Sequence, residues 1–212
     1  MYPKLQYISQ GNTVNEQLQN IQQALDAGCN WVQMRFKNQT QKDAALLAEA
    51  VKPLCKEYHA TFIVNDDINL AQQFMADGIH LGLTDMKIEE ARAILGEKKI
   101  IGGTANTIDD ITSHVKNGCD YIGLGPFRFT DTKEKLSPIL GLSGYFKILQ
   151  ELKKKKIEIP VYAIGGITIN DVSPLMETGI HGIAISALIT KSDKKETLIE
   201  QLNEKLYANI IV

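Results

Sequence analysis

In Trp31-Val32-Gln33-Met34-Arg35-Phe36-Lys37 every second residue from position 33 is polar. Side chains alternate across a strand, so Gln33, Arg35 and Lys37 share one face, and Val32, Met34 and Phe36 the other. An arginine and a lysine pointing into a folded interior require anionic partners, because unpaired buried charge is costly. A polyphosphate ligand would supply them. By itself the segment also reads as an amphipathic strand with one wet face. In a chain of alternating strands and helices wet strand faces are uncommon, which favours the ligand.

Acidic residues follow at the ends of the next two apolar runs. TFIV (61–64) leads into Asn65-Asp66-Asp67, and GIHLG (78–82) leads into Leu83-Thr84-Asp85. Asp67 is placed to cap a following helix, which leaves Asn65 and Asp66 for the rim. Asp66 and Asp85 would then come from neighbouring strands. Two carboxylates plus phosphate oxygens form a usual Mg2+ arrangement, although Asp85 alone also fits a helix cap. Thr104 follows Gly102-Gly103 at the end of another run. The stretch GLGPFRFTDTKEKLSPILGLSG (123–144) carries Thr130, Thr132 and Lys133 among glycines. It is either a solvated loop or a flap that closes on phosphate. Gly165-Gly166 after VYAI, and Ser186 after Ile185, suit a phosphate pocket lined by backbone N–H groups.

These residues need a scaffold that brings them together. Strand-like runs occur at 5–9, 31–36, 61–64, 78–82, 99–103, 121–125, 161–166 and 182–186, and helical spacing intervenes each time. Thr13 with Glu16 has the spacing of a capping box, and Thr40 is placed to cap a long helix. Helices are expected near 143–155, 170–178 and 194–206. AGCNWVQM, DGIHLG, NGCDYIGLG and TGIHGIAI form a weak repeat that enters every second strand. Their glycines, Gly28, Gly78, Gly118 and Gly179, fit the left-handed position past a helix end. Eight alternating units with short connections predict an α/β fold: one domain over residues 1–212, a closed (β/α)8 barrel with its active site at the C-terminal ends of the strands. A doubly wound open sheet is the alternative, but no GxGxxG follows the first strand.

Composition excludes other classes. Of 212 residues 44% are apolar, and the formal net charge is −2, against the basic surplus of a general nucleic-acid binder. No apolar run approaches the roughly 18 residues that span a bilayer, and the first residues lack a signal-peptide pattern. A cytoplasmic protein without membrane or nucleic-acid partners is expected. Cys29, Cys55 and Cys119 show no CxxC spacing and read as small buried residues. The four histidines, His59, His80, His114 and His181, read as structural, with no catalytic triad among them. Lys153–Lys156 reads as a solvated helix end. The terminal NIIV is apolar and would dock either on the barrel or on a second subunit.

In their order along the chain VQMRFK, VNDD, GIHLGLTD, DYIGLGPFRFTDTKEK, AIGGI and GIAISA resemble the thiamine-phosphate synthases. The resemblance spans residues from about 5 to about 190. Gln-x-Arg-x-Lys and Gly-Pro-x-x-x-Thr-x-Thr-Lys are its specific segments; AIGGI is shared by many phosphate-binding barrels. It implies joining of 4-amino-5-hydroxymethyl-2-methylpyrimidine diphosphate to 4-methyl-5-(2-phosphoethyl)thiazole, or its carboxylated form, with release of pyrophosphate. Carried over by position, Gln33, Arg35, Lys37, Asn65 and Thr104 would bind the pyrimidine diphosphate. Asp66 and Asp85 would hold Mg2+, and Lys133 would reach the diphosphate. Thr130, Thr132, Gly166, Ile185 and Ser186 would hold the thiazole phosphate. Arg35, Lys37 and Lys133 would then be catalytic, by stabilising the leaving group. Thr104 stands where the family usually has serine, and Leu83 where glutamine is frequent. Rival readings are a thiazole tautomerase-like relative, a non-catalytic sensor of thiamine intermediates, and a sugar-phosphate isomerase or epimerase. The last would need a placed acid and base that the rim does not offer.

Overall fold

The computed structural model describes residues 2–129 and 138–208, so the terminal NIIV lies outside the described residues. The order is β1 (Leu5–Ile8), α1 (Val14–Asp26), β2 (Trp31–Met34), α2 (Gln41–Glu57), β3 (Thr61–Asn65), α3 (Ile68–Gln73), β4 (Gly78–Leu81), α4 (Ile88–Leu95), β5 (Ile100–Ala105), α5 (Ile108–Lys116), β6 (Tyr121–Leu124), α6 (Gly141–Lys154), β7 (Val161–Ile164), α7 (Val172–Glu177), β8 (Gly182–Ile185), α8 (Ala187–Thr190) and α9 (Lys195–Tyr207). All strands pair in parallel in sequence order, and β8 closes on β1. This is the (β/α)8 barrel that the alternation predicts, and the doubly wound sheet is excluded. Two features were not anticipated: the short α8 directly after β8, and a 3-10 turn, Ile169–Asp171, that leads into α7.

Local chemistry sets the helix starts. Thr13 and Thr40 accept from the amides of Glu16 and Asp43, both at 3.1 Å. The Glu16 carboxylate reaches back to the amide of Asn12 at 2.7 Å, one residue before the expected partner. Asp67 caps α3 through the Leu70 amide at 3.0 Å, as its position predicted.

Glycines 28, 118 and 179 have φ of 98°, 85° and 94°, the left-handed conformation expected past a helix end. Gly78 does not. The left-handed turn after α3 falls on Met75 (φ 48°), and Gly78 opens β4 instead. Its reason is space: a Cβ there would run into the Ile100 carbonyl of the neighbouring strand.

Two apolar layers result. Outside the barrel wall, Val32, Met34, Phe62, Val64, Ile79 and their counterparts pack under the helices. Inside, Trp31, Ile63, Tyr121, Tyr162 and Ala184 form a separate cluster. Trp31 meets Tyr121 and Tyr162 edge-on, with centroids 5.2 and 5.3 Å apart. Trp31, Tyr121 and Tyr162 stand in the first two positions of their strands, so these rings plug the N-terminal end and leave the C-terminal end for a ligand. No helix among the described residues is long and apolar enough to cross a membrane.

Candidate active site

Strand β2 ends at Met34, earlier than the alternation suggests. Gln33 points inward as expected, and Val32 and Met34 face the helices. Arg35, Phe36 and Lys37 lie beyond the strand, in the loop to α2. Arg35 is held there by side chains rather than by a neighbouring strand. Its amide donates to Ser9 Oγ at 2.9 Å, and its carbonyl accepts from Gln17 Nε2 at 3.0 Å. Gln17 is 1% exposed on the inner face of α1 and also donates to the Gly11 carbonyl at 3.1 Å. Ser9 and Gln17 are thus positioning residues that sequence reasoning missed. The available signal was a glutamine within the apolar stripe of an amphipathic helix.

At the mouth, Gln33 Nε2 donates to Asn65 Oδ1 at 2.6 Å, while Gln33 Oε1 is buried and has no hydrogen-bond partner among the described residues. That leaves a buried acceptor unsatisfied among the described residues, and buried acceptors are normally satisfied. Asp66 follows with φ 64°, and the Asp67 amide bonds to the Asn65 carbonyl at 2.8 Å. The residue is therefore the centre of a γ-turn of the rarer, positive-φ kind, a strained geometry of the sort that collects at functional sites.

The turn sets the Asp66 carboxylate beside that of Asp85, and Lys37 Nζ lies 3.0 Å from Asp66 Oδ2. Burial and the hydrogen bond with Asp85 push the Asp66 carboxyl up to about 6, against the opposing pull of Lys37. Asp85 is not a helix cap. It accepts from the Gly82 amide at 2.7 Å, and α4 starts without any side-chain cap. Two neighbouring carboxylates, one of them reluctant to ionise, could serve as donors to a hard cation. Among the described residues no cluster of three or more such ligands exists, so a cation here would draw its remaining ligands from water and substrate.

The opposite side of the mouth is a pocket of about 160 Å³. Arg35 lines it together with Gly165, Gly166, Ile185 and Ser186. Gly165 and Gly166 have φ of 93° and 67°. A Cβ on Gly166 would meet Arg128 Cγ at 2.5 Å, so the close approach of Arg128 requires glycine here. Burial pulls the Arg35 guanidinium below its ordinary value, and the charge of Asp66 opposes this. Arg35 therefore relates the two halves of the site: it borders the glycine pocket and feels the charge of Asp66.

The segment after β6 is tied down at its base. The amides of Phe127 and Arg128 donate to the carbonyls of Ile164 and Gly165 at 2.8 and 3.1 Å, and those of Leu140 and Gly141 to Pro126 and Phe127, both at 3.0 Å. Thr130, Thr132 and Lys133 lie outside the described residues. Arg128 adds a brace that sequence reasoning did not identify. Its guanidinium forks onto the Asp171 carboxylate at 2.6 and 2.8 Å and donates to the Gly166 carbonyl at 2.9 Å.

Burial raises the Asp171 carboxyl, but donors from Arg128 and from the Thr168 hydroxyl and amide outweigh it and bring it down to about 2. A depressed carboxyl contributes stability above its unfolded value of about 4 and loses it as pH falls through the folded value. Asp171→Asn is therefore expected to cost about 1 kcal/mol at pH 7, the half-exposed arginine weakening the pair. The difference in melting temperature from the unaltered protein should close as pH drops from about 4 towards 2. A gap independent of pH would refute the ionic brace.

Three of the four histidines have clear structural bonds. His114 Nε2 and His181 Nε2 lie 2.8 and 2.9 Å from the carbonyls of Thr104 and Tyr2, and His80 is buried between Tyr121 and Thr104. Burial pushes the Cys29 and Cys55 thiols up to about 12, so neither is a ready thiolate.

Comparison with known proteins bears on this site. The model of a family described as thiamine monophosphate synthase matches residues 5–189. A thiamine-phosphate synthase of Flavobacterium johnsoniae is 73% identical over 212 residues, covering 100% of both chains. One of Flavobacterium psychrophilum is 60% identical over 206 residues, covering 97% of this chain and 100% of its own. Among solved structures, thiamine phosphate pyrophosphorylase from Pyrococcus furiosus superposes with a TM-score of 0.84 at 30% identity, covering 97% of this chain and 96% of that one. A 3-hexulose-6-phosphate synthase superposes at 0.70 with 11% identity, covering 96% of this chain and 100% of that one, which reflects the barrel fold alone.

Proposed function

The chain belongs to the thiamine monophosphate synthase family, and from that premise we propose that it joins 4-amino-5-hydroxymethyl-2-methylpyrimidine diphosphate to 4-methyl-5-(2-phosphoethyl)thiazole, or to its carboxylated form. Thiamine phosphate and pyrophosphate are the products. One observation carries the reading. Arg35 lines a pocket bordered by Gly165 and Gly166 and feels the charge of Asp66, which lies beside Asp85, an arrangement that suits two phosphorylated substrates brought to one mouth.

Asp66 and Asp85 would hold Mg2+, which when bound neutralises charge on the departing diphosphate. The remaining work falls to the chain itself. Gln33, through the oxygen left without a partner among the described residues, accepts from the exocyclic amine of the pyrimidine, and Asn65 fixes the orientation of that amide. Arg35 takes charge that develops on the leaving group. Lys37 pairs with Asp66 and would be placed to donate to the diphosphate beside it. Lys133 has the same assignment from sequence. Departure of the diphosphate leaves a pyrimidine-methyl cation stabilised by the electron-rich ring, and the thiazole nitrogen attacks that carbon. Thr130, Thr132, Gly166, Ile185 and Ser186 hold the thiazole phosphate so that its nitrogen is in line. The barrier falls through placed charges and exclusion of water, and no protein nucleophile takes part.

The test is direct. With both substrates and Mg2+, the purified protein should release pyrophosphate and thiamine phosphate together. A sensor would bind without turnover, and a tautomerase would act on the thiazole phosphate alone. Either result would displace the proposed reaction.

A further inference from the structure

Below the mouth, the barrel interior carries a chain of hydrogen bonds that no step above uses. Gln6 Nε2 donates to the Tyr121 hydroxyl at 3.1 Å. That hydroxyl lies 3.0 Å from His80 Nδ1, and His80 Nε2 lies 3.0 Å from Thr104 Oγ1. The four residues come from β1, β6, β4 and β5, and none is more than 6% exposed. Space for the two rings is made by missing side chains: a Cβ on Gly102 would run into Tyr121, and one on Gly123 would come within 3.0 Å of His80 Cε1.

The bonds have a direction. A tyrosine hydroxyl has one hydrogen to give. With Gln6 donating to its oxygen, that hydrogen is available to His80 Nδ1, and the direction of this bond follows the histidine tautomer. A neutral imidazole that accepts at Nδ1 carries its own hydrogen on Nε2. Nε2–H then donates to Thr104 Oγ1, and the hydrogen of Thr104 remains for another partner. Thr104 is the last residue but one of β5, near the end of the barrel where the site lies. Burial raises the Tyr121 hydroxyl, which keeps it a donor.

We propose that Gln6, Tyr121 and His80 form a positioning relay that makes Thr104 a hydrogen-bond donor to the substrate, so that this position selects a pyrimidine ring nitrogen with a free lone pair. The proposed polarity concerns the unliganded protein; only the identity of the acceptor rests on the functional reading above. Reversal of the Gln6 amide would reverse every bond in the chain, which makes the proposal decidable.

The experiment has two arms. In the first, 15N-detected NMR of the unliganded protein, with His80 assigned through His80→Gln, should show the hydrogen of His80 on Nε2. A hydrogen on Nδ1 overturns the proposal, and no folded variant beyond the assignment control is needed. In the second, the dissociation constant for the pyrimidine diphosphate is measured in Tyr121→Phe and Thr104→Val. Each should weaken binding about tenfold, as one lost hydrogen bond does. The double variant should be no weaker than either single one, since both remove the same bond. Thr104→Ser should bind normally, and thiazole phosphate affinity should hold throughout. Unchanged pyrimidine binding in folded Tyr121→Phe, or additive losses in the double variant, would overturn the relay. Unaltered protein with Nε2–H that fails to bind the pyrimidine diphosphate would instead defeat the functional reading, and with it the assigned acceptor.

Discussion

Replacement of Asp66 by Asn is expected to lower turnover by about two to three orders of magnitude, the several kcal/mol that a metal-held leaving group is worth, and to raise the melting temperature of the metal-free protein at pH 8. The two effects have one cause. Burial and the neighbouring Asp85 make the ionised form of Asp66 costly and push its carboxyl up to about 6 despite Lys37 at 3.0 Å. A carboxyl raised in the folded state favours folding below its unfolded value near 4, and that contribution is lost as pH rises through about 6. Above this range the charged group works against the fold, and a neutral amide relieves it. Asparagine also tolerates the left-handed conformation that the γ-turn imposes at φ 64°. The thermal gain should therefore be visible at pH 8 in chelator and absent near pH 4. Turnover within a few-fold of the unaltered enzyme would remove the metal assignment. A lower melting temperature at pH 8 would show that Lys37, not burial, dominates the Asp66 environment.

Arg35→Lys is expected to be almost as damaging as Arg35→Gln, each costing about a hundredfold in kcat/KM, because a positioned donor to developing charge is worth roughly 3 kcal/mol. Charge alone does not satisfy this position. The guanidinium is a planar fork suited to phosphate oxygens, whereas an ammonium is a strongly hydrated point charge on a flexible stem. Its backbone is fixed independently through Ser9 and Gln17, so either substitution leaves the loop in place. The kinetic signature is distinctive. Because Arg35 borders the glycine pocket and also senses Asp66, KM for both substrates should rise along with the loss in kcat. A loss confined to one substrate would place Arg35 in only one half of the site, and full activity in Arg35→Lys would refute the bidentate role.

Much of this architecture follows from short-range pattern. Alternating apolar runs and helical spacing determine eight βα units, and their short connections leave a closed parallel barrel as the economical arrangement. Asp67, Thr13 and Thr40 are recognisable as caps because a cap needs only a side chain three residues from an amide. The inward face of Gln33 follows from alternation, and the residues beyond it match a family whose motifs are nearly intact.

Other features depend on which strands meet and how far each extends. Strand β2 stops at Met34 because Ser9 and Gln17, brought in by β1 and α1, replace ladder partners for Arg35. Gly78 is required by a carbonyl on the neighbouring strand rather than by its own turn. Asp85 turns to the Gly82 amide and to Asp66, a choice between cap and site that spacing alone leaves open. The brace between Arg128 and Asp171 and the relay between Tyr121 and His80 join residues 43 and 41 positions apart. The physical reason is range. Propensity, capping and alternation act over a few residues and can be read along the chain. Contacts across the barrel exist only once closure and register have set the strands side by side.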